Sequence, residues 1–239
     1  MTATPIPPST DAAFRSLAHG NTTAGVLIWN DVTDEGRSAF YQWHNGEHMP
    51  ERLSIPGFLR GRRYASEGQS PQWFTLYEAA SLDVLVSPGY LERLNNPTPG
   101  TQATLKFFRN TARSVCVLQR AVGQAVGGYA VVLRFDGRSE SAELATAKAQ
   151  AIEALEQLEA QEGVVSTSLY GADVSASRID TAESRTRTFD IPQLTLVIEA
   201  SHRSAACQAM EHIQRIDWNR VGLSLRKEHG LYALEVCFA

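Results

Sequence analysis

The sequence is short of most features that announce a chemistry. It has no basic tract: 22 lysines and arginines stand against 26 aspartates and glutamates, a formal net charge of -4. Nothing therefore draws the chain electrostatically to nucleic acid or to an anionic membrane. No apolar run reaches the ~18 residues that a membrane-spanning helix needs. Residues 1–22 lack a basic start and an apolar centre. With their prolines, serines and threonines they read as a loose arm and not as a secretory signal. The three cysteines, Cys116, Cys207 and Cys237, are far apart, odd in number and free of any CxxC spacing. That excludes a disulfide framework and fits a cytoplasmic chain with reduced thiols. There is no Walker loop and no Gly-x-Ser-x-Gly, and the glycines of residues 123–128 have the wrong spacing for a dinucleotide loop. Nucleotide-driven chemistry and serine hydrolysis fall away with them.

What is present is ordinary in bulk and patterned in detail. Hydrophobic residues make up 43% of the 239 and charged residues 20%, enough for two units that each bury a core. The two units are visible as a repeat. Residues 71–81 begin Pro-Gln, run through an apolar stretch with Thr-Leu, and close on Glu-Ala and a serine; residues 192–201 do the same. Each reads as a strand running into a helix start, with Ser81 and Ser201 as N-cap candidates.

The flanks repeat as well. β-rich runs over 25–32 and 128–135 open the halves, and helical stretches follow at 34–48 and 141–161. Gly57 and Gly163 close those helices and start strands at 58–66 and 164–170. Second helices are expected over 82–95 and 203–216, and last strands over 114–120 and 231–238. The order is βαββαβ twice, the ferredoxin-like plait. The expectation is an α+β chain of two tandem ferredoxin-like units, residues 23–121 and 128–239, joined by a short linker. An open sheet face must be covered, so the units are expected to pack sheet to sheet as an intrachain α/β barrel. Residues 171–191, polar and charged, read as a long hairpin loop.

The densest cluster of reactive side chains is residues 40–52, FYQWHNGEHMPER. His44 and His48 are four apart and share a helix face with Phe40, and Glu47 lies near the same edge. Gly46 and Pro50 weaken the helix, which should end near Pro50. Literally, His44 to His48 fits the H-x-x-E-H zinc pattern, with the two imidazoles as ligands and Glu47 acting on bound water. No later segment nominates a third ligand. Two other readings stay open: a surface helix whose Trp43 and Phe40 pack on the sheet, or a cleft in which His44 or His48 serves as general acid/base.

Across the Gly57 turn, alternation puts Arg62 and Tyr64 on one strand face and Arg63 on the other. Either face could offer a cation or phenol to an anionic ligand. Tyr77 and Glu78 alternate likewise, and the match of Glu78 to Glu199 favours a structural part for both. Arg109 and Arg113 are expected to face solvent, as are His212 and His229.

The string WHNGEHMPERLSIPGFLRGRRY, with Trp43, His48, Pro50, Pro56 and Gly57, resembles the EthD-like branch of the dimeric α/β-barrel superfamily. The resemblance covers about residues 25–120; the second half matches in element order only and lacks the His pair. It implies the barrel fold and a small-molecule ligand, in a superfamily that includes cofactor-free oxygenases, isomerases, dehydratases and haem-binding enzymes. The leading expectation is a cofactor-free lyase or isomerase with His44, Glu47 and His48 at its centre and Trp43, Arg62, Tyr64 and Tyr77 lining a ligand cleft. The alternatives are a non-catalytic binding or assembly module and a zinc hydrolase. No cofactor is predicted, although haem held by His44, His48 or His202 and zinc held by His44 and His48 stay open. The partners expected are a small-molecule ligand, with neither nucleic acid nor membrane, in a monomer or homodimer.

Overall fold

β-Branched and aromatic residues recur in all but the shortest of the nine strands that the computed structural model describes. The structure describes residues 21–123, 125–137, 141–186, 189–227 and 230–239. All but the last two residues of the expected N-terminal arm lie outside these, as does His229. Strands β1 (Ala24–Val32), β2 (Phe58–Ser66), β3 (Trp73–Ala79) and β4 (Phe108–Gly123) belong to the first half, β5 (Tyr129–Gly137), β6 (Val164–Ala172), β7 (Leu194–Ala200), β8 (Leu223–Leu225) and β9 (Gly230–Phe238) to the second. Eight of them close a ring in the order β7-β6-β4-β1-β3-β2-β9-β5, with β5 pairing back to β7, and every ladder is antiparallel. The short β8 adds to β5 outside the ring.

The neighbour order β4-β1-β3-β2 recurs as β9-β5-β7-β6. Detail recurs with it. Register slips between Phe58 and Arg60 against β3, and between Val164 and Ser166 against β7. The two glycines that end the first helices both adopt positive φ, Gly57 at 95° and Gly163 at 82°, a conformation that costs any side chain with a Cβ. Each glycine carbonyl then accepts a bond from the far end of the third strand, from Ala80 N–H and Ser201 N–H, both at 2.8 Å.

Alternation sorts the strand residues into two environments. Leu27, Trp29, Phe74, Leu76, Val197 and Tyr232 form a cluster drawn from strands alone, which is the barrel interior. The outward positions pack under helices. In the second half α5 (Ser141–Glu159) and α7 (Arg203–Gln214) lay alanines and leucines, among them Ala147, Leu155 and Ala209, on Val131, Leu196 and Ile198. In the first half the cover is α1 (Arg37–Trp43), a π-helical turn over His44–His48, α2 (Met49–Leu53), α3 (Pro88–Asn95) and α4 (Pro99–Leu105).

Several local expectations need correction. The first helix does not end at Pro50. The π turn lets Met49 N–H reach His44 carbonyl, and Pro50 falls in the first turn of α2, where its missing N–H costs nothing. The helix expected over 82–95 is a 3-10 turn, Leu82–Val86, followed by α3. Ser87 and His202, not Ser81 and Ser201, accept the N-cap bonds. β4 starts at Phe108 and runs sixteen residues, not seven. Residues 171–191 are no plain hairpin loop. They hold the short helix α6 (Val174–Ser177) and a 3-10 turn, Ser184–Thr186, and residues 173–183 bond to the first half. There Ser177 accepts from Val115 N–H at 2.8 Å, and Ala176 joins the core of the first half.

Candidate functional site

The π turn stacks two buried imidazoles, His44 and His48, with ring centroids 5.7 Å apart. Trp43 lies 4.3 Å from the His48 ring, and Phe40 stacks on His44 at 5.1 Å. Beneath them lie Arg63 of β2 and Tyr77 of β3, both buried. Of the readings left open for this helix, the one with its histidines at the surface is overturned by their burial.

The bonds define the protonation of His44. Arg63 Nη1 lies 2.9 Å from His44 Nδ1, and a guanidinium can only donate. Nδ1 is therefore the acceptor and the ring proton sits on Nε2, 3.2 Å from Tyr77 Oη, to which it donates. Burial first, then the charges of Arg63 and Arg52, hold the His44 pKa well below 6.5. His48 is pushed down the same way, by burial and then by Arg52 and His44. Its Nδ1 is buried without a hydrogen-bond partner. Burial also raises the Tyr77 pKa, so the phenol keeps its proton.

The two arginines beside the histidines are anchored from the second half of the chain. Arg63 Nε donates to Glu235 of β9 at 2.8 Å, and its Nη1 also donates to Asn45 at 2.7 Å. Arg52 bonds Glu183, in the 171–191 segment, at 2.6 Å, and Glu51 at 3.1 Å. Sequence reasoning missed Glu235 and Glu183, which lie 172 and 131 residues from their partners. It named Arg63 without pairing it to a histidine, and left Arg52 without a role. A continuous chain runs from Tyr41 Oη to Glu235 (2.6 Å), Arg63, His44 and Tyr77. Its outer end, Tyr41 and Glu235, lines a cavity of about 460 Å³ walled also by Asp31, Arg37 and Trp73. Among the described residues three other cavities are lined elsewhere, and neither histidine lines any of these four.

The structure divides the predicted site. His44, His48, Trp43 and Tyr77 come together. Glu47 does not join them: it accepts from Thr98 at the start of α4 and lies against Gly100. Arg62 and Tyr64 are on the opposite face of β2, inside the barrel, where both bond Glu199 at 2.6 Å. The notion of one cleft lined by Tyr64 and Tyr77 together is thus corrected by strand alternation. Arg113 is buried and donates to Tyr90 Oη at 3.0 Å, so it does not face solvent.

His44 is closed to a metal ion or a haem iron. Both ring nitrogens of His44 are engaged, one by a guanidinium whose charge opposes a cation. His202 Nδ1 caps α7. His48 Nδ1 is buried without a hydrogen-bond partner, and the His48 ring centroid lies 4.3 Å from that of Trp43. Among the described residues no three His, Cys, Asp or Glu side chains group as a metal site, and no helix is long and apolar enough to cross a membrane.

No family model matches the sequence, and no curated protein matches it. Solved structures do match over nearly the whole chain. An anthrone oxidase-like protein superposes with TM-score 0.60 at 9% identity, covering 92% of this chain and 94% of its own. A variant chlorite dismutase from Candidatus Nitrospira defluvii gives 0.57 at 12% identity, covering 90% and 91%. A heme-binding protein from Thermus thermophilus gives 0.53 at 10%, covering 90% and 92%. At these identities the likeness is one of fold alone.

Proposed function

We propose that this chain, a barrel of a fold shared with oxidative and haem-binding proteins, is a small-molecule-binding protein that moves protons next to a carbonyl without a cofactor, as a lyase or isomerase. One observation carries the reading: a neutral imidazole, His48, sits with an unpartnered Nδ1 beside a chain of fixed polarity, Arg63 to His44 to Tyr77. A buried polar atom left unpaired costs roughly 1–3 kcal/mol, and nothing in the fold requires it. The equivalents of Tyr77 and Arg63 in the second half, by register, are Ile198 and Leu169, which pack as plain alkyl side chains.

The chemistry follows from the protonation states. His48 Nδ1 accepts a proton from the carbon next to a substrate carbonyl. The Tyr77 hydroxyl, its oxygen already accepting from His44 Nε2–H, donates to the enolate oxygen that forms. Return of the proton to another carbon isomerises the substrate, and loss of a β-substituent completes an elimination. His44 is a positioning residue held in one tautomer by Arg63, and Trp43 walls the ring of His48. Glu47, Arg62 and Tyr64 have no part in this scheme.

The finer assignments are ours too. The helix bearing Trp43, His48 and Pro50 ahead of Pro56-Gly57 supports the EthD-like branch. The repeated strand order and the paired register slips support a tandem ferredoxin-like duplication, with residues 23–121 carrying the site and 128–239 closing the barrel. The three unpaired cysteines support a cytoplasmic setting. Because one chain supplies both sheets, a monomer suffices. The haem of the heme-binding neighbour is not carried over, since both ring nitrogens of His44 are engaged.

Solvent-deuterium exchange tests the reaction without knowledge of the substrate. A panel of small ketones and cyclic diketones in D2O is followed by proton NMR. Catalysed exchange is expected, falling about 100-fold in His48→Gln and Tyr77→Phe. Exchange that is unchanged in these variants, or absent throughout the panel, leaves the second reading, a non-catalytic binding module. Its supporting observation is that neither histidine lines any of the four cavities.

A further inference from the structure

Strands β2 and β6 occupy corresponding places, and their ladders give the correspondence residue by residue. Arg60 stands opposite Glu78 as Ser166 stands opposite Glu199. Arg62 therefore corresponds to Ser168, and Tyr64 to Tyr170. Both tyrosines belong to the interior cluster, and both glutamates are buried.

At this end of the interior the first half contributes Arg60, Arg62 and Glu78, and the second contributes Glu199. Arg62 Nη2 lies 3.1 Å from Glu78 and its Nη1 2.6 Å from Glu199. Arg60 also pairs with Glu78. Glu199 further accepts from Tyr64 Oη at 2.6 Å, Ser166 Oγ at 3.0 Å and Gly127 N–H at 3.3 Å. Tyr170 Oη, the counterpart of the hydroxyl that takes Glu199, is buried with no hydrogen-bond partner. The symmetry of the barrel is broken here by two arginines, Arg60 and Arg62, which stand where the second half has Ser166 and Ser168.

The two inner faces thus carry unlike charge that cancels only when they meet. Two copies of the first sheet would set four arginines against two glutamates. Two copies of the second would bury two glutamates with no arginine at that end; Arg134 faces inward too, but sits over the Trp29 ring, four residues along β5 from the partner of Glu199. An uncompensated charge in such an interior is strongly destabilising. We infer that this complementarity selects the partner of each sheet: the sheet of residues 24–123 accepts the sheet of residues 129–238, from its own chain or exchanged from another, and rejects a copy of itself. The inference rests on the symmetry of the barrel and is independent of the catalytic reading.

Moving Arg62 across the symmetry axis tests it in the full-length protein. Arg62→Ser strips Glu199 of its cation, and Ser168→Arg adds a third cation at this end of the interior. Each alone is expected to lower Tm by about 10 °C. The combined exchange keeps the charge balanced and is expected to recover at least half of the loss, with the wild-type mass by light scattering. A combined variant as unstable as the sum of its parts overturns the inference. If the single variants are insoluble, soluble yield replaces Tm, and the exchange must restore it. A second pair reads the same balance by neutralisation: Arg62→Met/Glu199→Gln must be more stable than Arg62→Met, and equality or a further loss again overturns the inference.

Discussion

Two places in this barrel have the same backbone and opposite contents. Under the first helix of the second half, Leu169 and Ile198 meet the alanines and leucines of α5. At the matching places of the first half, Arg63 and Tyr77 meet His44 and His48. The second half shows how the fold packs a helix on this sheet when stability alone is served. The first half departs from that solution with two neutral imidazoles, a phenol and two arginines, every one of them desolvated. Such a set can be satisfied and still contribute less than well-packed alkyl groups. Its presence in one half only is the best argument that the first half carries the function.

Substitutions can break the comparison from either side. The largest loss is expected in the alkyl half: Leu155→Ala should cost about 3 kcal/mol in urea unfolding and leave any deuterium exchange by the first half untouched. If the exchange rate falls as well, the halves are not separable. Glu183→Gln, which removes one of the two carboxylates holding buried Arg52, should cost about 2 kcal/mol and also weaken ligand binding. A loss of stability alone would make the pair purely structural.

The pH dependence sharpens the contrast further. His44 and His48 have folded pKa values well below 6.5, whereas in the unfolded chain they titrate near it. Below about pH 6.5 the unfolded state therefore binds more protons, so stability is full above that pH and falls as the pH descends. His48→Leu should make the fall shallower by one proton, about 1.4 kcal/mol per pH unit. An unchanged slope in urea titrations between pH 5 and 6 would mean that His48 is not buried in its neutral form. The smallest effect is expected from Tyr77→Phe, about 1 kcal/mol for the lost His44 partner, together with a shift of the His44 ring nitrogens seen by NMR.

The frame of the molecule was open to sequence reading because its signals are local. Gly57 and Gly163 mark the positive-φ turns, and the matched Glu78 and Glu199 mark the ends of the third strands. The pairing of His44 with His48 was legible from spacing. Alternation correctly separated Arg62 from Arg63 but could not say which faced the helix, since both faces of β2 are buried. The continuation through Pro50 was illegible because it depends on a π turn that no residue type demands. Least legible were Glu235 and Glu183: their function is defined by arginines more than 130 residues away, and no local pattern marks them out from other acidic residues.

The place of β9 in the ring has a consequence for how the molecule is made. It is the final strand, yet it pairs with β2 of the first half and β5 of the second. A nascent chain can lay down every helix and the other seven strands of the ring and still have an open seam. Only when residues 230–239 emerge does the ring shut, and the same strand brings Glu235 to Arg63. Assembly of the histidine site thus waits for β9, and a chain cut short of residue 230 carries both histidines without the carboxylate that anchors Arg63.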